Sequence, residues 1–191
     1  MKRHIAVLYG SPRRGGFSSQ MQDSFTDVFL SAGNSVEKIY IDELRVNPCT
    51  ACGACRDSFS CIFDDDMTRL YPLLRDASLI SIATPVYFSG VPGPLKTVID
   101  RCQVIWELDL RSPGDIPGKE AVLLAAAGSD YPGSFEGVFL TTRHFFNTAG
   151  ALLDKDNSFF LYDTDQISAV PDDLTAALRT KARDLQKNLS G

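Results

Sequence analysis

Residues 5–19, IAVLYGSPRRGGFSS, decide how this chain folds. Residues 5–8 form a short apolar run of the kind buried in a sheet, and Gly10-Ser11-Pro12 stops it. From about Phe17 the apolar spacing turns helical. A strand, a Gly/Ser/Arg loop and a helix start together make an anion site. The first helical turn has N–H groups without intrahelical partners, and the helix dipole favours negative charge there by about 0.3–1 kcal/mol. Arg13 or Arg14 can add a forked contact to phosphate oxygens. Two readings follow: a phosphate cradle for a nucleotide-like cofactor, or a plain strand-to-helix turn with solvated arginines. The run matches neither GxGxxG nor GxxxxGK[ST], so it carries neither of those fingerprints.

Downstream, Met21, Phe25, Val28 and Phe29 keep helical spacing until Gly33-Asn34 ends the helix. Residues 36–41 alternate apolar and polar like a half-buried strand. Residues 45–63 hold four cysteines and no clear period, and read as irregular. Asp64, Asp65 and Asp66 then cap a helix over 67–77, which Pro72 should kink or split. Residues 79–83, 120–126 and 159–162 are three further strands. Helices are expected from Pro94 to about Trp106, up to about Thr148, and over 172–189, with surface loop at 108–118. The alternation of strands and helices predicts an α/β protein, a three-layer sandwich around a five-stranded parallel sheet. Five strands favour the flavodoxin-like order 2-1-3-4-5, with ligands at the carboxyl ends near the switch point between strands 1 and 3.

Three loops leave carboxyl ends of that sheet. The first carries Ser11, Arg13, Ser18 and Ser19 for phosphate. The second, 85–90, carries Pro85, Val86, Tyr87, Phe88 and Gly90, with two flat side chains and several backbone N–H groups. The third, 128–133, begins at Gly128 and lets backbone approach a ligand closely. Together they suit a flat aromatic cofactor with a phosphate tail, a description that fits FMN. Local core packing is the alternative reading for Tyr87 and Phe88.

Cys49, Cys52, Cys55 and Cys61 are spaced C-x2-C-x2-C-x5-C. Thiolates are soft ligands, and this run is close to the bacterial iron–sulfur spacing with a longer last gap. A [4Fe–4S] cluster, zinc, or a loop without metal are the three readings. Four cysteines within thirteen residues, out of five in the chain, do not make a disulfide framework. Cys102 stands apart and reads as a buried small hydrophobe. A chain of 191 residues with 44% apolar content suits one domain, here 1–191 with a cysteine-rich insertion at about 45–63. Its net charge of −5 argues against nucleic acid as a partner. The longest apolar run, 121–127, is too short to span a bilayer, and the first residues do not form a signal-peptide pattern, so membrane insertion is not expected and the cytoplasm is.

Three segments together carry a resemblance. Gly10-Ser11-Pro12-Arg13, Pro85-Val86-Tyr87-Phe88, and Lys96 through Asp100-Arg101 resemble the NADPH-dependent FMN reductase family. With the cysteine run and Asp65-Asp66-Met67, the chain is most similar to its iron–sulfur flavoprotein branch. The resemblance implies FMN, with its phosphate at Ser11, Arg13 and Ser18 and its ring along 85–90. Where the family has Asn, this chain has Phe17, so one side-chain contact to phosphate is either missing or supplied by Ser19. It further implies NAD(P)H as reductant, a homodimer or tetramer, and a small-molecule or redox-protein donor and acceptor. No side chain is assigned as a catalytic acid or base, because the flavin carries the chemistry. An electron carrier between redox proteins is the alternative function. Lys96, Asp100 and Arg101 read from the residues alone as an ordinary exposed helix face. Trp106 and the 108–118 excursion are expected to cover a neighbour's site.

Overall fold

A computed structural model of the chain describes residues 4–111 and 119–190. Strand β1 (His4–Tyr9) leads through the Arg/Gly loop into helix α1 (Phe17–Ser31), and β2 (Ser35–Tyr40) follows. A one-turn helix α2 (Ala54–Ser58) lies inside the cysteine segment, and α3 (Met67–Asp76) returns the chain to β3 (Leu79–Pro85). Next come α4 (Gly93–Arg101), α5 (Gln103–Arg111), β4 (Lys119–Ala126) and α6 (Glu136–Thr148). Strands β5 (Ala151–Leu152) and β6 (Ser158–Leu161) and the helix α7 (Asp172–Ser190) complete it.

The sheet is parallel, in the order β2-β1-β3-β4-β5, with β6 also paired to β4. The predicted 2-1-3-4-5 order is therefore present, with one refinement. The fifth position is shared by two short strands, because a polar turn at Lys155–Asn157, capped by the Asp154 side chain, interrupts it. Side chains alternate between two cores. Ala6, Leu8, Ile80 and Ile82 face α3, α4 and α6, while Ile5, Val7, Leu79 and Ala83 face α1 and α7. Both faces of β1, β3 and β4 are covered, which is why these strands read as continuous apolar runs.

Three local expectations change. Pro72 does not split α3 into two elements; it is exposed, as is Thr68 one turn back, so water can take up the carbonyl that loses its partner. The helix expected over 94–106 is broken at Cys102 into α4 and α5. The loop expected at 108–118 begins as helix, because α5 continues to Arg111; residues 112–118 lie outside the described residues. Cys102 is buried in the core as expected, its thiol donating to the Val98 carbonyl at 3.4 Å.

Candidate functional site

A cavity of about 190 Å³ opens where the first, second and third loops leave the sheet. Ser11, Arg13, Ser18, Pro85, Val86, Tyr87 and Gly128, from all three loops, line it. The first turn of α1 is uncapped: Gly16 at the N-cap has no side chain to offer, and the turn contains no acidic residue. The two arginines part company. Arg14 lies over the Tyr40 ring at 3.6 Å and pairs with Asp42 and Glu43, which takes it away from the cavity. Arg13 pairs with no carboxylate among the described residues and faces the cavity. Ser19 does not line it; its hydroxyl donates to the Arg13 carbonyl at 3.0 Å and holds the loop's shape. Ser11 plays both parts, lining the cavity while its Oγ accepts the Arg13 N–H at 3.1 Å.

The second loop is a tight hairpin. Tyr87 and Gly90 exchange backbone hydrogen bonds of 2.9 and 3.0 Å, and the two residues between them, Phe88 and Ser89, have φ of 49° and 61°. Positive φ at both central positions is the geometry that favours Asn-Gly, and residues with side chains there store local strain. Phe88 is held fully exposed at the tip, and Tyr87 is half exposed. Neither is core packing. The backbone N–H groups of Val86, Tyr87 and Gly90 are all spent inside the fold, on Ala126 and on the hairpin itself. Phe88 and Gly90 lie outside the cavity lining, on the hairpin beyond it.

Sequence reading missed the wall supplied by the loop after β6. Thr164 and Asp165 line the same cavity, and their N–H groups bond to the carbonyls of Ala127 and Gly128. Asp165 crowds Gly128: a Cβ there would come within 2.7 Å of its carboxylate, so a side chain at this position would push the Asp165 carboxylate aside. The start of α6 presses on the hairpin in the same way. A Cβ on Gly137 would overlap the Ser89 carbonyl oxygen, and the Ser89 hydroxyl is hydrogen-bonded to Tyr131. Beside this lies a larger cavity of about 470 Å³, walled by Tyr131, Phe135, Phe139, Phe160 and Tyr162 with Lys155 and Glu136. Phe135 stacks on Phe160 at 4.6 Å and meets Tyr162 edge-on at 4.7 Å. Trp106 does not adjoin either cavity; it lines a surface pocket with His144 and Phe145.

The cysteine segment is more ordered than an irregular loop. Left-handed residues Gly53 (φ 78°) and Phe59 (φ 55°) bracket α2, and α2 packs on α5. Cys49, Cys52, Cys55 and Cys61 all line one cavity of about 190 Å³, together with Arg101, Gln103, Val104 and Glu107. Among the described residues no three His, Cys, Asp or Glu side chains stand in closed metal-binding geometry. The donor set is nonetheless all thiolate, the chemistry of an iron–sulfur site. Burial, then the Glu107 carboxylate, then Cys49 and Cys52 push the Cys55 thiol up. Glu107 is itself buried and accepts from Gln103 at 3.0 Å. No residue lines both this cavity and the first.

What closes the base of the segment is a buried ion pair that contradicts the reading of Arg101 as an exposed face. Arg101 is 1% exposed. Its Nη1 donates to Asp65 Oδ2 at 2.7 Å and to the Asn47 carbonyl at 2.7 Å, and its Nη2 donates to Asp65 Oδ1 at 3.2 Å. Asp65 also accepts the N–H groups of Asn47 (3.0 Å) and Met67 (3.1 Å), while Asp66 accepts that of Arg45 (2.7 Å). The strand-side and helix-side ends of the segment are thus clasped together. Burial raises the Asp65 carboxyl, but the Arg101 fork and the donated N–H groups outweigh it and bring it from 3.8 down to about 2. Lys96 and Asp100 do form the exposed pair expected of them, at 2.7 Å.

The sheet order, the loop cavity at the carboxyl ends and the uncapped α1 define a flavodoxin-like α/β protein. Residues 3–162 match the family described as NADPH-dependent FMN reductase, and the chain belongs to that family. Within it the chain falls in the iron–sulfur flavoprotein branch: it is 31% identical over 156 residues to an iron–sulfur flavoprotein of Methanosarcina thermophila, spanning 82% of this chain and 79% of the relative. Among solved structures it is similar to an NAD(P)H:quinone oxidoreductase from Methanothermobacter marburgensis, with TM-score 0.70, 19% identity and coverage of 100% and 98% of the two chains. A flavodoxin from the domain Archaea superposes with TM-score 0.61 at 12% identity, over 98% of this chain and 99% of that one. No helix among the described residues is long and apolar enough to cross a membrane.

Proposed function

We propose that this chain is an FMN-dependent oxidoreductase that takes electrons from NAD(P)H and passes them to a quinone or flavin-type acceptor. The observation that carries this reading is the convergence of three loops on one cavity beside an uncapped helix start and an arginine without a carboxylate partner. Bound FMN supplies hydride and single-electron chemistry at its ring; the residues below hold and orient it. Ser11, Ser18 and the first N–H groups of α1 suit the phosphate, and Arg13 neutralises it. Asp165, against Gly128 on the third loop, is unsuited to phosphate and fits hydroxyl donors of the ribityl chain. Pro85, Val86, Tyr87, Phe88 and Gly90 offer the ring an edge whose backbone is fixed by the hairpin and by Gly137. The aromatic cavity next to it suits a flat acceptor.

The four cysteines fit a [4Fe–4S] cluster, which would supply one-electron transfer. The family relation and the shared cavity support this, and they favour a second reading, an electron carrier between redox proteins. Tyr87, Phe88, Tyr131 and Tyr162 leave an exposed aromatic rim around the flavin site, which supports a homodimer or tetramer with the rim covered by a neighbour. The whole chain acts as one FMN-binding unit, in the cytoplasm. Anaerobic purification with flavin, iron and sulfide analysis, followed by stopped-flow reduction, tests these readings. Fast reduction by NADH or NADPH is expected; reduction only by a ferredoxin-like donor selects the carrier.

A further inference from the structure

The Arg101 guanidinium is buried at the cysteine cavity, and its donors are unequally used. Nη1 and Nη2 are committed to Asp65 and Asn47. Nε, with no exposed surface, has no hydrogen-bond partner. Only one other buried side-chain nitrogen or oxygen among the described residues, His4 Nε2, shares that state. A buried N–H left unmade costs about 1–3 kcal/mol, more on a charged group, so such a donor calls for an acceptor. The sulfurs of Cys49, Cys52, Cys55 and Cys61 are the most numerous side-chain acceptors in the cavity that Arg101 lines, beside the Glu107 carboxylate, the Gln103 amide and the Thr50 hydroxyl. Glu107, buried there too, already accepts from Gln103. The Asp65 fork fixes the plane of the guanidinium, so the direction of the Nε–H is fixed with it.

We infer that Arg101 donates its Nε–H to a cysteine or bridging sulfur of the bound iron–sulfur cluster, and through that bond raises the cluster's reduction potential. This rests on the [4Fe–4S] reading of the four cysteines. Hydrogen bonds to cluster sulfurs stabilise the more negative, reduced form, and they are a recognised lever on potential. Asp65 then has two effects with one contact. It neutralises Arg101's charge, so the donor acts by its hydrogen bond more than by its field, and it orients the donor. Glu107 works in the opposite sense, its negative charge favouring the oxidised cluster.

Protein carrying Arg56→Lys, which leaves Arg101 as the arginine lining the cysteine cavity, labelled with 15N at arginine Nε, reconstituted anaerobically with iron and sulfide and reduced, gives the direct test by electron–nuclear double resonance. A 15N coupling to the cluster spin is expected. In Arg101→Lys, where an ammonium can still meet Asp65 but no Nε–H remains, the reduction equilibrium should move about tenfold toward the oxidised form, a fall of about 59 mV for one electron. FMN content should stay at the wild-type level, since Arg101 does not line the flavin cavity. A complete cluster without 15N coupling overturns the hydrogen bond and leaves the cluster reading standing. Full FMN with no iron or sulfide bound overturns both. If Arg101→Lys fails to assemble, the labelled Arg56→Lys spectrum alone decides.

Discussion

Replacing Asp65 by asparagine removes one charge from a pair whose partners are 1% and 5% exposed at the side chain. The wild-type carboxyl is held at about 2 against an ordinary 3.8, a shift worth about 2 kcal/mol of stability at neutral pH. Asparagine also leaves the Arg101 charge buried without a counter-charge, and breaking a buried pair in this way costs about 3–5 kcal/mol. That is a large fraction of the roughly 5–15 kcal/mol that holds a domain together. The loss should be local first. Asp65→Asn leaves one acceptor oxygen where there were two, so one of the Asn47 and Met67 N–H groups loses its partner and the clasp on the cysteine segment loosens. Hydrogen exchange should therefore accelerate at Asn47 or Met67 before it does in β1, and the urea midpoint should fall. The pH dependence has a defined sign. Because the folded carboxyl ionises below the unfolded one, its contribution is complete above about pH 4 and is lost as pH falls toward about 2. The wild-type-minus-variant stability difference should shrink by about 2 kcal/mol across that window. A variant with an unchanged urea midpoint, and a difference that stays flat between pH 4 and 2, would refute the clasp as the feature that holds this segment.

Arg13→Ala should weaken FMN by roughly ten- to a hundredfold, the worth of one charge-assisted contact of about 1.5–3 kcal/mol, and riboflavin hardly at all. Calorimetry with the two ligands reads this, and equal losses would move the phosphate elsewhere. Gly137→Ala should lower FMN affinity by pushing on the Ser89 carbonyl, although alanine itself favours the helix by about 1 kcal/mol; unchanged FMN titration would detach the hairpin from the flavin. Cys102→Ser should change neither flavin nor iron content, whereas serine at any of the other four cysteines should diminish iron, as elemental analysis will report. Light scattering of the FMN-bound protein at micromolar concentration should give a dimer or tetramer, and a monomer would reject the covered aromatic rim.

Residues 5–19 by themselves carried the strand, the loop and the helix start, because a buried parallel strand needs an apolar run and a helix N-terminus needs small or polar residues. Alternation of such units then implied the sheet order and put three loops at one edge. The cysteine spacing was equally legible, being a property of one short segment. What local pattern could not supply was the pairing of groups distant in the chain. Arg101 and Asp65 are separated by 36 residues, and on its own helix Arg101 follows the exposed Lys96–Asp100 pair; only the packing of α3 and α4 buries it. Arg14 looked as fit for phosphate as Arg13 until the fold brought Tyr40, Asp42 and Glu43 beneath it. Thr164 and Asp165 carry no motif and joined the cavity through backbone bonds to the third loop. Residue type and spacing determine which elements form, since those preferences act over one or two turns of chain. The partner of a charge is decided by which surfaces the tertiary structure takes out of water, where an unpaired charge costs most.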